Sequence, residues 1–95
     1  LMERLAAVPE GDGTLLDNTV ILWCNELSRG NSHSLRDLPF VLAGGAGGAL
    51  RGGRHLSYDG VGHNDLLVSV LHLMGVAQPS FGDPRFCSGP LPGLL

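Results

Sequence analysis

The chain has little with which to hold a nucleic acid. It contains no lysine, its six basic residues are scattered arginines, and only five of its 95 residues are aromatic. The net charge of −3 leaves no basic cluster, and a nucleic-acid surface requires a Lys/Arg footprint. Arginine without lysine fits bidentate contacts to anions, and it fits better the codon bias of a GC-rich genome. No apolar run reaches the roughly 18 residues of a membrane-spanning helix, so no membrane span is expected. Cys24 and Cys87 do not form a metal-ligand spacing. Cys24 falls inside an apolar run and reads as a small buried hydrophobe, whereas Cys87 falls in a loop-like tail.

Glycine and proline are abundant, at 15 and 6 residues, and they impose many loops. Between the loops stand two short apolar runs, TVILWC at 19–24 and PFVLA at 39–43. Both read as core strands apolar on both faces. A chain of 95 residues is at most one small domain and has too little material to cover both faces of such strands. The first residues, LMERLAAV, read as the end of a helix without an initiator methionine or a signal peptide. The expectation is therefore α/β: a carboxyl-terminal fragment of a sheet with flanking helices, not a complete domain, with poor stability by itself.

Along the chain, Leu1, Leu5 and Val8 share a face at helical spacing, which predicts a helix over 1–8 that Pro9 stops. The segment EGDGT makes a turn. Strands are expected over about 19–24 and 39–43, joined by a polar loop at 25–38 that is longer than most connections. The glycine run at 44–53 lacks the Lys-Ser/Thr pair of a phosphate loop and reads as a flexible loop or hairpin. Residues 54–58 fit a short edge strand. The strongest helix covers 64–76, with Asn64 or Asp65 as N-cap and Gly75 at its end. Asp65, Ser69 and His72 form one polar stripe on an otherwise apolar cylinder. An irregular, proline-rich tail over 77–95 is expected to pack back on a larger body.

Chemistry concentrates in the loop after the first strand, since open α/β sheets place ligands just beyond the carboxyl ends of their strands. Glu26 there can bind a metal through oxygen or move a proton, or it can be a loop carboxylate paired with Arg29 or Arg36. His33, among small polar residues, suits Zn or Fe ligation, or a loop imidazole bonded to the backbone. Arg29 and Arg36 can clamp a phosphate or sulfate, or lie free in solvent. Asn31 can contact a substrate oxygen or serve as a turn residue. His63 precedes the long helix and can approach the same edge, and His55 and His72 read as structural.

The ordered segments EGDGTLLDNTVILWCNEL, GNSHSLRDLPFVLAGGAGG, GRHL, LLVSVLHLMGV and SFGD resemble the carboxyl end of a bacterial family of unknown function known by its HXXSHH signature. The resemblance covers essentially the whole chain, although the signature itself lies outside it. That family looks related to the alkaline phosphatase superfamily, which includes sulfatases. There a strand ends in an Asp-His pair, a further His precedes the next strand, and a helix follows. The resemblance implies an alkaline-phosphatase-like sheet over 1–95 and a metal-dependent phosphate or sulfate ester hydrolase. Glu26 and His33 would be metal ligands, and Arg29, Asn31 and Arg36 would contact substrate. A divalent metal (Zn, Mn, Fe or Ca) is implied as cofactor. The implied partners are the missing amino-terminal part of the same domain and a small anionic ester. Family members look exported, often with a twin-arginine leader, which implies a periplasmic or extracellular location. This sequence departs from the pattern where the His of the pair falls on Leu27, or on Glu26 in a register shifted by one. The helix also lacks the superfamily's Pro-Thr. A non-catalytic relative serving as a binding or structural module is the alternative.

Overall fold

Pro9 cannot continue a helix, and the chain turns accordingly. In the computed structural model, which describes residues 1–95, a short helix α1 (Met2–Ala6) gives way to a hairpin of β1 (Pro9–Glu10) and β2 (Gly13–Thr14). The hairpin pairs Pro9 with Thr14 and Glu10 with Gly13. Gly11 at its tip takes φ +58°, a value that favours glycine. The Asp17 carboxylate closes the turn that follows. It accepts from the Thr14 amide at 2.7 Å and the Thr14 hydroxyl at 2.8 Å.

The two apolar runs form β3 (Ile21–Cys24) and β4 (Phe40–Ala43), each shorter than expected by one or two residues at the front. They pair antiparallel, with Leu22 opposite Leu42 and Trp23 opposite Val41. The sheet has only these two strands. The glycines after β4 do not form a hairpin. Gly45, Ala46 and Gly47 donate their amides to the carbonyls of Leu16, Thr19 and Asp17. This tight approach needs glycine, because a Cβ at Gly44 would collide with the Thr19 carbonyl and one at Gly45 with that of Asp17.

Helix α2 runs from His63 to Leu73. Its N-cap is Gly62, not Asn64 or Asp65, and no side chain caps it. Gly75 ends it as expected. With φ +78°, it donates to the His72 carbonyl at 3.0 Å while Val76 donates to Leu71 at 2.9 Å, the paired bonds of a Schellman stop. Residues 54–58 are not a strand. The tail is irregular apart from one 3-10 turn at Pro84–Phe86.

The fold is mixed α/β, with two antiparallel two-stranded sheets and two helices. Its core joins Leu66 of α2 to Leu91 and Leu94 of the tail, with Leu22, Phe40 and Leu42 packed against them. Side chains alternate across a strand, so one sheet face meets α2 and the tail while the other carries Ile21, Trp23, Val41 and Ala43. That second face is open: Trp23 is 74% exposed and Val41 50%. Ile21 and Ala43, at the other end of that face, are half-buried, so the chain leaves the face open in part, in line with its having too little material to cover both faces. Cys24 is exposed, not buried. Leu1 and Val8, which flank α1, are exposed as well, while Leu5 within it is half-buried.

Candidate functional site

β3 ends at Cys24, and the chain does not meet β4 until Phe40. The loop between them is built by local hydrogen bonds. The Asn25 side chain accepts from the Leu27 amide at 3.3 Å, a turn that short polar residues make readily. A bridge joins Arg29 to Ser34. Ser28 donates its amide to the Ser34 carbonyl at 2.9 Å, and Ser34 returns a bond to the Arg29 carbonyl at 3.3 Å. The four residues Gly30–His33 thus form a closed turn, with His33 at φ +49°. The Ser34 hydroxyl then accepts from the Arg36 amide.

This framework gathers the candidate residues on one excursion of the chain. Asn31 and His33 sit in the closed turn, Arg29 at its neck, Arg36 just beyond it and Glu26 on the bend leaving β3. All five are exposed. Glu26 forms no ion pair with Arg29 or Arg36; the single ion pair of the chain joins Arg85 to Asp83 at 2.6 Å. No hydrogen bond from the protein engages the side chain of Glu26, Arg29, Asn31, His33 or Arg36. No group of three or more His, Cys, Asp or Glu side chains gathers to a common point. The loop therefore presents two carboxylates, Glu26 and Asp37, one imidazole and two guanidinium groups, none of them engaged by another side chain.

Arg36 and Asp37 also line an open cavity of about 740 Å³ between the loop, β4, residues 50–63 and the tail. Phe40, Tyr58 and Leu66 line its apolar side, and Arg51 and His63 reach its wall. His63 thus lies on the cavity that Arg36 borders, whereas His55 does not line it. This volume lies within the usual range of small-molecule sites, ~300–1,000 Å³.

A second set of polar side chains does a different task. Asp65 and Ser69, two members of the helical stripe, are 5% and 0% exposed. Asp65 accepts from the Ser88 amide at 2.7 Å, and the Ser69 hydroxyl accepts from the Leu91 amide at 2.7 Å. The third member, His72, meets the Gln78 carbonyl at 2.8 Å through Nε2. From the opposite side Arg54 donates to the carbonyls of Gly93 and Leu94, and the Tyr58 hydroxyl donates to that of Pro92. These five side chains clamp the backbone of a tail whose single 3-10 turn satisfies few of its own polar groups. The sequence signalled the stripe by its spacing. It gave no sign of what the stripe faces, because the partner groups are backbone amides up to 23 residues away.

The glycine run is not an anion cradle. The amides from Gly45 to Leu50 are all spent on internal carbonyls, which leaves that part of the run no donor to aim at a phosphate. No helix is long and apolar enough to cross a membrane. No protein-family profile, no curated protein and no solved structure matches the chain.

Proposed function

We propose that this chain supplies one wall of a metal-dependent phosphate or sulfate ester hydrolase, as part of a larger alkaline-phosphatase-like α/β body. The observation that carries the reading is the loop after β3, which holds a free carboxylate and a free imidazole beside two unpaired arginines. Glu26 and His33 act as two ligands of a divalent metal (Zn, Mn, Fe or Ca), and the oxygen and nitrogen donors suit such an ion. Two ligands are fewer than a closed shell of four, so the rest of the protein provides the others. When bound, the metal polarises the ester and lowers the pKa of an attacking group. Arg29 and Arg36 bind the anionic oxygens by charge-assisted hydrogen bonds, and the Asn31 amide orients one of them. The resemblance to an exported family supports a periplasmic or extracellular location.

The test is metal content, measured by elemental mass spectrometry on the complete protein purified without chelators, beside a Glu26→Ala/His33→Ala variant. Stoichiometric metal that the variant loses supports the reading. A second reading is favoured by Leu27, which stands where the superfamily carries a ligand histidine: the fold persists as a non-catalytic binding or structural module. Absence of metal from both proteins, each folded, selects that second reading.

A further inference from the structure

The open cavity of about 740 Å³ reaches the core of the molecule. Leu66, Leu91 and Leu94, the three side chains of the core cluster, all line it. Phe40, Leu42 and Tyr58, which pack against that cluster, line it as well. Leu56 and Val61 also line it and are exposed. An apolar body entering the cavity therefore meets apolar side chains from its mouth to its floor, and the surface it covers leaves water. Sites for small molecules have this character, an apolar lining with a few polar groups that fix orientation.

The charged groups of the wall give the cavity a sign. Arg36, Arg51 and Arg54 line it against Asp37 and Asp59, a surplus of one positive charge. The rest of the chain carries three arginines against seven carboxylates. None of the five wall charges is in an ion pair, since the single pair of the chain joins Arg85 to Asp83. The side chains of Arg36 and Arg51 donate no hydrogen bond within the chain. Arg54 is held differently. Its Nε, Nη1 and Nη2 donate to the carbonyls of Arg51, Gly93 and Leu94. Those acceptors are neutral, so they fix the guanidinium in place without cancelling its charge. A guanidinium has five N–H donors, and two of them are left over.

We propose that this cavity binds an amphipathic monocarboxylate, with its apolar body against Leu66 and Leu91 and its head on Arg51 and Arg54. A single negative charge balances the surplus of the wall, whereas a phosphate dianion would overshoot it. The planar guanidinium matches a carboxylate by paired, charge-assisted hydrogen bonds. The inference does not rest on the hydrolase reading. Glu26, Arg29, Asn31 and His33 do not line the cavity, no bond of this ligand is broken, and Arg36 is the one residue that the two readings share.

Isothermal titration calorimetry of the complete protein with hexanoate, octanoate and decanoate, each below its micelle concentration, tests the site. Affinity should rise with every added methylene, by up to about fourfold. Decyltrimethylammonium, the same body with the opposite charge, should bind about tenfold more weakly than decanoate. Arg51→Ala should weaken decanoate about tenfold, and Leu56→Asp, which sets a carboxylate against the ligand, should weaken it more. Both side chains are exposed, so neither variant cuts the core, and circular dichroism checks that each is folded. Affinity that ignores chain length overturns the proposal, and so does an ammonium head that binds as tightly as the carboxylate. Decanoate binding that survives both substitutions places the ligand elsewhere and overturns it too. Absence of binding to the complete protein overturns it in favour of a cavity filled by the rest of that protein. The Glu26→Ala/His33→Ala variant separates the two readings, because it should bind decanoate as the wild type does. Loss of metal binding with decanoate still bound removes only the hydrolase; a metal-loaded protein that does not bind decanoate removes only this site.

Discussion

The two halves of the chain solve the problem of burial in opposite ways. All eight buried residues lie between Asp65 and Leu94, and none lies in the first 64. Yet the more continuous apolar runs are in the first half. Burial therefore does not follow hydrophobicity here; it follows the availability of a covering layer. The carboxyl-terminal half has one, because α2 offers hydrogen-bonding side chains that hold the tail down over Leu66. The amino-terminal half presents a sheet face on which Trp23 and Val41 stay exposed and no residue is fully buried. A tail with only one 3-10 turn is the better packed of the two because each buried polar side chain has a partner, and a buried polar group without one costs stability.

The comparison breaks first where the core is cut. Leu66→Ala should cost about 2–5 kcal/mol, enough to unfold a domain of marginal stability; urea denaturation followed by circular dichroism measures it. A loss under half that size would mean that the core around Leu91 and Leu94 collapses to fill the space. Next in size is Ser69→Ala. It leaves the buried Leu91 amide without an acceptor, at a cost of about 1–3 kcal/mol. The hydrogen exchange of that amide should accelerate more than that of any amide in β3. Unchanged exchange at Leu91 would show that Asp65, His72, Arg54 and Tyr58 hold the tail without Ser69.

How far the sequence discloses this arrangement depends on the range of the interactions. Local chemistry is legible: Pro9 ends the first helix, Gly75 stops α2, and β3 and β4 fall within their apolar runs. The loop over 25–38 also emerges from its polar composition. What spacing does not reveal is pairing at a distance. The antiparallel register of Leu22 with Leu42, the docking of Gly44 and Gly45 on residues 16–19, and the tail clamp join segments through backbone groups, which every residue carries alike. Residues 54–58 look like a strand because His55, Leu56 and Tyr58 have strand character, but Arg54 and Tyr58 are engaged by the tail and no neighbouring strand offers a ladder. At the candidate site, the residue types were legible and their grouping in one loop followed from chain proximity. The bridge between Arg29 and Ser34, which sets the turn carrying His33, was not.

The open face provides a smaller effect that sharpens the contrast. Trp23→Ala in the isolated chain should change stability by no more than about 0.5 kcal/mol, the range of exposed sites, although tryptophan is the largest side chain present. In the complete protein the same substitution should cost several times more if the rest of the protein covers that face. Thermal unfolding of the two pairs, wild type against variant in each, measures both values. A large loss in the isolated chain would place a covering layer within these 95 residues and remove the difference between the halves.

The smallest effect concerns acid. Asp17 is held below the usual carboxylate range because the Thr14 hydroxyl and the Thr14 amide both donate to its ionised form. A carboxylate depressed in the folded state contributes stability above its unfolded pKa, and this is lost as pH falls through the folded value. The turn after β2 should therefore loosen at the acid end of the carboxylate range, while the Ser69–Leu91 bond, which contains no titrating group, persists. The amide resonance of Thr14, followed by NMR down the pH scale, reports the transition. Thr14→Val removes the stronger of the two donors and keeps the amide, so the midpoint should move to higher pH without vanishing. A midpoint that stays where it was would mean that the backbone amide alone sets the shift. The turn would then owe its closure to the Thr14 amide on the Asp17 carboxylate rather than to the threonine hydroxyl, one local bond in place of the several long-range ones that clamp the tail.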